Sequence, residues 1–160
     1  MDKEIRFIDS HYNELFRIPD GGSVVITHEN GEQGVNVCKY LDDYHFELGG
    51  ECLHICQFAE IMERNGSTVE PEKEPEMVAN YRVVRRIPVN NKVFVIGHNP
   101  NAVQPYGTWQ GYKDSPGKDW GHYFKSRSDA WGDLLRRVDV ERTGIPYDHT
   151  KQKSKKDYER

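Results

Sequence analysis

The Asn-Gly pair at residues 30–31 constrains the fold of this chain most, because it is a strong tight-turn signal between two short runs with strand character. The run before it, residues 23–27, is rich in β-branched side chains, and the run after it covers residues 35–40. We therefore predict a β-hairpin. A third short strand is expected at residues 44–48, because two glycines follow it at 49–50 and the spacing of apolar residues then becomes helical.

That helical spacing predicts a helix that begins near Glu51 and ends at Asn65-Gly66, where glycine supplies a left-handed stop. Its inner face is expected to hold Cys52, Ile55, Cys56, Ala59 and Met62, widened by Leu53, Phe58 and Ile61. The first part of the chain is thus expected to follow the order β-β-β-α.

The second half repeats this plan. Residues 81–87 and 92–96 predict two strands around a turn, and a third strand is expected near residues 108–112. Residues 122–124 predict a further strand or its continuation. A helix follows, capped by Ser126 or Ser128, and its apolar stripe consists of Trp131, Leu134, Leu135 and Val138.

Between the two parts, residues 69–80 are rich in glutamate and contain prolines that deny a helical register. The sequence therefore predicts an α+β fold of two small antiparallel sheet-plus-helix units, β-β-β-α twice, joined by an acidic Pro/Glu linker. We place the acidic unit at residues 1–68, the linker at 69–80, a basic and aromatic-rich unit at 81–146, and a basic flexible tail at 147–160.

Charge divides the chain in the same way. Residues 1–80 hold 17 Asp and Glu against 6 Lys and Arg, and residues 81–160 hold 9 against 16, although the formal net charge is only −4. Opposed fields of this kind steer a protein toward charged macromolecules, so we expect binding rather than catalysis. No stretch has the character of a signal or a membrane span, and the odd set of three cysteines argues against a disulfide framework. We expect a cytoplasmic protein with reduced cysteines and no cofactor.

Two sets of residues are candidates for binding. The acidic set could occupy a basic groove made for DNA or RNA, and consists of Asp42, Asp43, Glu47, Glu51, Glu60 and Glu63 together with the acids of the linker. The second set combines phosphate-pairing cations with rings on which bases stack, and consists of Trp109, Lys113, Lys118, Trp120, Lys125, Arg127, Arg136 and Arg137. Trp131 is expected in the core, whereas Trp109 and Trp120 are expected at the surface. A DNA- or RNA-binding module is therefore the second hypothesis for function.

Metal-binding and catalytic patterns are weaker. Cys52 and Cys56 could share a helical face and bind zinc together with one of Cys38, His45 and His54. Both cysteines fall on the stripe that the helix must bury, so we favour core packing and predict no metal. His122 and Asp119 could support a small hydrolase, which is the third hypothesis, although no serine elbow or phosphate loop accompanies them.

Three phrases, at residues 14–22, 38–45 and 54–66, resemble a large polyvalent protein-associated domain of conjugative elements and phages of Firmicutes, over about residues 5–70. Residues 121–126 are similar to sheet-plus-helix DNA-binding modules of integrases. The resemblance implies an accessory protein of a mobile element, and such stand-alone proteins include anti-CRISPR inhibitors. The leading hypothesis is a non-enzymatic counter-defence protein that binds and inhibits a host nucleoprotein, such as a CRISPR effector nuclease. Oppositely charged halves would also allow a homodimer.

Overall fold

Residues 3–115 and 117–145 are described by a computed structural model of the chain. The elements are, in chain order, β1 (Glu4–Ile8), β2 (Glu14–Pro19), β3 (Ser23–Thr27), β4 (Gln33–Asp42), β5 (His45–Leu48), β6 (Glu51–His54), α1 (Ile55–Asn65), β7 (Thr68–Pro71), β8 (Met77–Val78), β9 (Tyr81–Val89), β10 (Lys92–His98), β11 (Tyr106–Tyr112), β12 (Lys118–Phe124) and α2 (Arg127–Thr143). The predicted tail at 147–160 lies outside the described residues.

Ten of these strands form one antiparallel sheet. Its main order is β12-β11-β10-β9-β4-β3-β7, with β5 and β6 continuing from β4 and β8 pairing with β9; β1 and β2 form a separate hairpin. The prediction of two β-β-β-α units joined by a linker is therefore wrong. The two halves share one sheet because Gln33 and Gly34 of β4 pair with Arg86 and Arg85 of β9.

Strand β4 pairs with three strands, β3, β5 and β9. Its first half pairs with β3 in the predicted hairpin, and its second half, from Cys38 to Asp42, pairs with β5. A strand of ten residues, about 33 Å long at 3.3 Å per residue, can reach from one to the other. The short hairpin β5–β6 is thereby attached to the large sheet.

The acidic segment that we predicted as a linker is paired with the sheet at both ends. Strand β7 pairs with β3, and β8 pairs with β9. Between them, residues 72–76 form what we call the acidic strap. Its backbone is held where Glu72 N–H donates to Ser23 O at 2.9 Å and Val83 N–H donates to Glu76 O at 2.8 Å.

The start of α1 also differs from the prediction. Residues 51–54 form strand β6, which pairs with β5, so the helix begins at Ile55 rather than near Glu51. His54 caps it, since its Nδ1 accepts a hydrogen bond from the Cys56 N–H at 3.0 Å. The predicted end is confirmed, because Gly66 adopts a left-handed φ of 64° there.

One core lies between α1, the β1–β2 hairpin and strands β3–β6. The rings of Phe7, Phe46 and Phe58 meet there with centroids 5.2–5.6 Å apart in tilted and edge-on contacts. Such pairs each add about 0.5–1.5 kcal/mol beyond the burial of area. These contacts join the 11-residue helix α1 to strands β1 and β5.

Helix α2 packs on the other half of the sheet. Ala130, Leu134 and Val138 contact a cluster that includes Phe94 and Ile96. Leu135, which we predicted on this stripe, is exposed, and Trp131 is half-buried beneath a guanidinium. Ser126 is the N-cap, as one of our two predictions had it: its hydroxyl accepts from the Asp129 N–H at 3.1 Å. Neither helix has the length and apolar character needed to span a membrane within the described residues.

Candidate binding surfaces

The predicted acidic residues Asp42 and Asp43 lie at the β4–β5 turn. Asp42 accepts a hydrogen bond from the Tyr44 N–H at 2.8 Å, and His45 Nδ1 lies 2.9 Å from the same carboxylate. These contacts, that of Tyr44 first, lower the pKa of Asp42. The Tyr40 hydroxyl donates to Asp43 at 2.6 Å, and this bond raises the pKa of Tyr40. Both carboxylates are therefore held in place at the surface.

The other four acidic residues lie on the elements that follow. Glu47 in β5 stands opposite Lys39 of β4, and Glu51 begins β6. Glu60 and Glu63 are three residues apart on the exposed side of α1. None of these four glutamates forms an ion pair within the described part of the chain.

We call residues 40–66 the acidic lobe. This stretch contains all six predicted acids and one basic side chain, Arg64, so its formal charge is −5 with histidines neutral. These acids lie in three parts of the acidic lobe: the β4–β5 turn, the β5–β6 hairpin and the exposed side of α1.

Two of the three strap acids, in contrast, form ion pairs within the molecule. Glu72, with a side chain only 7% exposed, pairs with Arg82. Glu76 pairs with Arg86 and lies 3.7 Å from Lys118 Nζ. The strap glutamates thus pair with Arg82 and Arg86 of β9 and lie close to Lys118 of β12. The second half therefore presents less positive charge at its surface than the sequence suggests.

A cleft of about 640 Å³ lies beneath the strap. Val25, Val35 and Val83 line it, and Arg85 and Arg86 line it from β9. Four glutamates also line this cleft, Glu70, Glu72, Glu74 and Glu76. Both signs of charge therefore face the cleft.

Arg85 stands apart from the other arginines of β9. Its guanidinium lies over the Trp131 ring, 4.9 Å from the centroid. Its buried Nε has no hydrogen-bond partner among the described residues. Stacking on an aromatic face therefore replaces ion pairing at this position.

The three cysteines do not form the helical pair that the spacing suggested. Cys52 is exposed on β6, and Cys56 is half-buried on α1, because the strand ends between them. Cys38 is buried in β4, and burial raises the pKa of its thiol to about 12. Across residues 3–115 and 117–145, no group of three or more His, Cys, Asp and Glu side chains is placed to hold a metal ion.

Trp109 is buried, with 3% of its surface exposed, and the prediction that it lies at the surface is wrong. Its indole lies against three glycines. A Cβ on Gly97 would come within 2.9 Å of the ring, and Cβ atoms on Gly107 and Gly121 would overlap it. Two rings complete the contact, those of Tyr81 and Tyr123. Because these glycines have no side chains, they leave the space into which the indole fits.

Trp120 is exposed as predicted, with 73% of its surface accessible. It adopts a left-handed backbone with φ of 58°, which is rare for a bulky side chain. The β11–β12 register shifts here, so that Trp120 and Gly121 together oppose Trp109. Trp120 therefore occupies a β-bulge on β12, which is the last strand of the large sheet.

The bulge is held by a network around the carboxylate of Asp133. We call its members, Asp133, Arg137, Thr108 and His122, the carboxylate clamp. Arg137 Nη2 donates to the Trp120 carbonyl at 2.6 Å, and Arg137 Nε lies 3.2 Å from Asp133. Asp133 also accepts from the hydroxyl of Thr108 at 2.7 Å and contacts Nδ1 of His122 at 3.2 Å. Burial lowers the pKa of Arg137, and the Asp133 charge opposes that shift.

The predicted cations divide into bonded and free groups. Lys118 has a side chain only 4% exposed and lies against Glu76, while Arg136 and Arg137 reach Asp133 at 3.9 and 3.2 Å. Three other predicted cations are exposed and form no ion pair within the described residues: Lys113, Lys125 and Arg127.

The hydrolase pair of His122 and Asp119 is not formed. His122 contacts Asp133 of α2, whereas Asp119 stands opposite Gln110. Asp133, which is the centre of the carboxylate clamp, is not among the residues predicted from the sequence. One signal could have found it, because Asp133 precedes Arg137 by four residues on a helix, the spacing of a helical ion pair.

No protein-family model, no curated protein and no solved structure matches this chain.

Proposed function

We propose that this chain is a non-enzymatic binding protein that docks its acidic lobe on a basic surface of a partner protein. One observation supports the proposal above the others. Residues 40–66 carry six carboxylates and one basic side chain, and these carboxylates form no ion pair with Lys or Arg in the described structure, whereas the strap acids Glu72 and Glu76 are ion-paired; Arg6 reaches only the backbone carbonyl of Asp43, at 3.1 Å.

The form of the lobe suits electrostatic docking. Hydrogen bonds from Tyr44 and Tyr40 fix the carboxylates of Asp42 and Asp43, so less conformational entropy is lost on binding. The lowered pKa of Asp42 keeps that group charged well below neutral pH. Complementary charge of this kind raises association rates and excludes partners of like charge.

A basic groove that normally holds nucleic acid is the partner surface that fits this chemistry. The sequence resemblance to mobile-element proteins implies a host nucleoprotein or a CRISPR effector nuclease as the owner of that groove. Occupation of the groove would inhibit the partner by excluding its DNA or RNA, with no catalytic step by this chain.

The proposal predicts that charge removal on the lobe weakens capture of such a partner. Glu51, Glu60 and Glu63 are exposed acids of the lobe, so the triple variant Glu51→Gln/Glu60→Gln/Glu63→Gln removes charge and leaves core packing intact. The measurement is capture from nuclease-treated host lysate on immobilised protein, followed by competition between each captured protein and its nucleic acid. We expect at least tenfold weaker capture of nucleic-acid-binding proteins.

The matched control removes the same charge elsewhere, at three exposed acids: Glu70→Gln/Glu74→Gln/Asp139→Asn. Raising salt from about 0.1 M to about 1 M shortens the screening length from about 10 Å to about 3 Å and should release the partner. Equal loss in the two triple variants, or capture that salt does not change, would refute docking through the lobe.

A further inference from the structure

The bulge at Trp120 combines an exposed aromatic ring with a backbone conformation that favours glycine. Its φ of 58° lies in the left-handed region, and 73% of the residue is exposed. The ring therefore contributes little to the core, and glycine would suit the backbone better. A bulky residue in such a position points to a role outside folding.

The carboxylate clamp fixes the direction in which this residue points. Arg137 holds the Trp120 carbonyl, Asp133 holds Arg137, and the fully buried Thr108 holds Asp133. The chain of bonds runs from the sheet interior to the bulge. The ring is thus displayed on a fixed backbone, so little freedom is lost when a flat partner stacks on it.

We propose that Trp120 is the stacking platform of a single-stranded nucleic-acid site along the outer edge of β12. Bases stack on aromatic rings whatever their sequence, and phosphates pair with Lys and Arg. The exposed cations stand at the ends of the strand, with Lys113 in the turn before it and Lys125 and Arg127 just after it. Asp119 on β12 repels phosphate beside the ring, so the backbone is expected to meet the protein at the two ends of the strand.

The edge of β12 favours nucleic acid over an added protein strand. Seven residues at about 3.3 Å each give a track of about 23 Å, enough for about four nucleotides. Strand addition needs an uninterrupted row of backbone groups, and the bulge at Trp120 breaks that row. This site is separate from the acidic lobe and does not depend on the function proposed above.

The test is fluorescence anisotropy of dye-labelled oligo(dT) and oligo(rU), about 20 nucleotides long, with the full chain at low salt. Trp120→Gly should weaken binding roughly tenfold or more, while Trp120→Phe, which keeps a ring, should stay within about threefold of the wild type. Thermal unfolding of Trp120→Gly should show no loss of stability, because glycine accepts the left-handed backbone. Loss of binding then cannot be assigned to misfolding.

Tyr12→Gly is the matched control. Tyr12 is also an exposed aromatic residue with a left-handed φ, 67°, and lies in the β1–β2 turn, so its replacement should leave binding unchanged. Three results would overturn the proposal: no binding of either oligonucleotide, equal binding by Trp120→Gly and wild type, or duplex DNA bound as tightly as the single strands. Loss of self-association in Trp120→Gly without any oligonucleotide binding would equally refute it, in favour of a protein interface.

Discussion

At the scale of single residues, the three glycines around Trp109 give the sharpest prediction. Gly107→Ala adds a Cβ that overlaps the buried indole, and a ring packed against glycines of three strands has little room to move. We expect a loss of about 1–3 kcal/mol in the free energy of unfolding, measured by urea denaturation.

Gly132→Ala is the control for that change. Gly132 lies in α2, and the nearest atom to its added Cβ is the end of the Arg136 side chain at 3.6 Å. Alanine is the better helix former, so we expect a gain of about 0.5–1 kcal/mol. If Gly107→Ala proved as stable as Gly132→Ala, the packing described for Trp109 would be incorrect.

The contrast between Trp109 and Trp120 shows what sequence can tell about a binding residue. Trp120 is next to Gly121, Trp109 lies two residues from Gly107 and Gly111, and the local pattern assigned both rings to the surface. Only the pairing of β10, β11 and β12 places Gly97, Gly107 and Gly121 around the indole of Trp109. These glycines do not surround the indole of Trp120. Burial here depends on cross-strand neighbours, of which Gly97 and Gly121 each lie 12 residues from Trp109 in the sequence.

At the scale of elements, the acidic strap is predicted to stabilise the fold through its ion pairs. Glu72→Gln leaves Arg82 without its anionic partner at a site where the Glu72 side chain is almost fully buried. Because Arg82 itself is about one-third exposed, we expect a loss of about 2 kcal/mol, measured by urea denaturation.

Glu74→Gln, at an exposed position of the same strap, should change stability by less than about 0.5 kcal/mol. A double-mutant cycle with Arg82→Gln isolates the pair, since the second substitution should cost less once the first is made. Additive losses in that cycle would contradict the ion pair.

Elements with strong local signals were predictable, and elements that depend on partners were not. The Asn-Gly turn predicted β3 and β4, and Gly66 predicted the end of α1. Residues 51–54 have apolar spacing that also fits a helix, and only pairing with β5 makes them a strand. The prolines and like charges of residues 69–80 indicated an isolated linker, yet five of these residues pair with edges that only the folded sheet provides.

At the scale of the whole molecule, the β4–β9 pairing predicts that the two halves unfold together. All three tryptophans lie in residues 81–145 and report on the second half, while the buried Cys38 thiol reports on the first. In a Cys52→Ser/Cys56→Ala background, we expect the urea midpoint from tryptophan fluorescence to coincide with that from Cys38 labelling.

Two separate midpoints would show instead that the shared sheet does not couple the halves.

The pairing of β4 with β9 also explains why the fold class was harder to predict than the individual strands. The sequence separation between Gly34 and Arg85 is 51 residues, and no local pattern signals that these two positions pair. The charge boundary near residue 80, which suggested two units, instead places opposite charges where the strap and β9 meet.

Because β4 pairs with β3 in its first half and with β5 in its second half, the length of this strand cannot vary freely. Alternate residues of a strand face opposite sides, so one residue inserted before Cys38 would turn Cys38 outward and Lys39 inward while the β3 ladder stayed in place. A lysine would then enter a space that holds a fully buried thiol. Homologous chains should therefore tolerate insertions at the glycines of the β5–β6 turn and keep the spacing from Gln33 to Asp42 fixed.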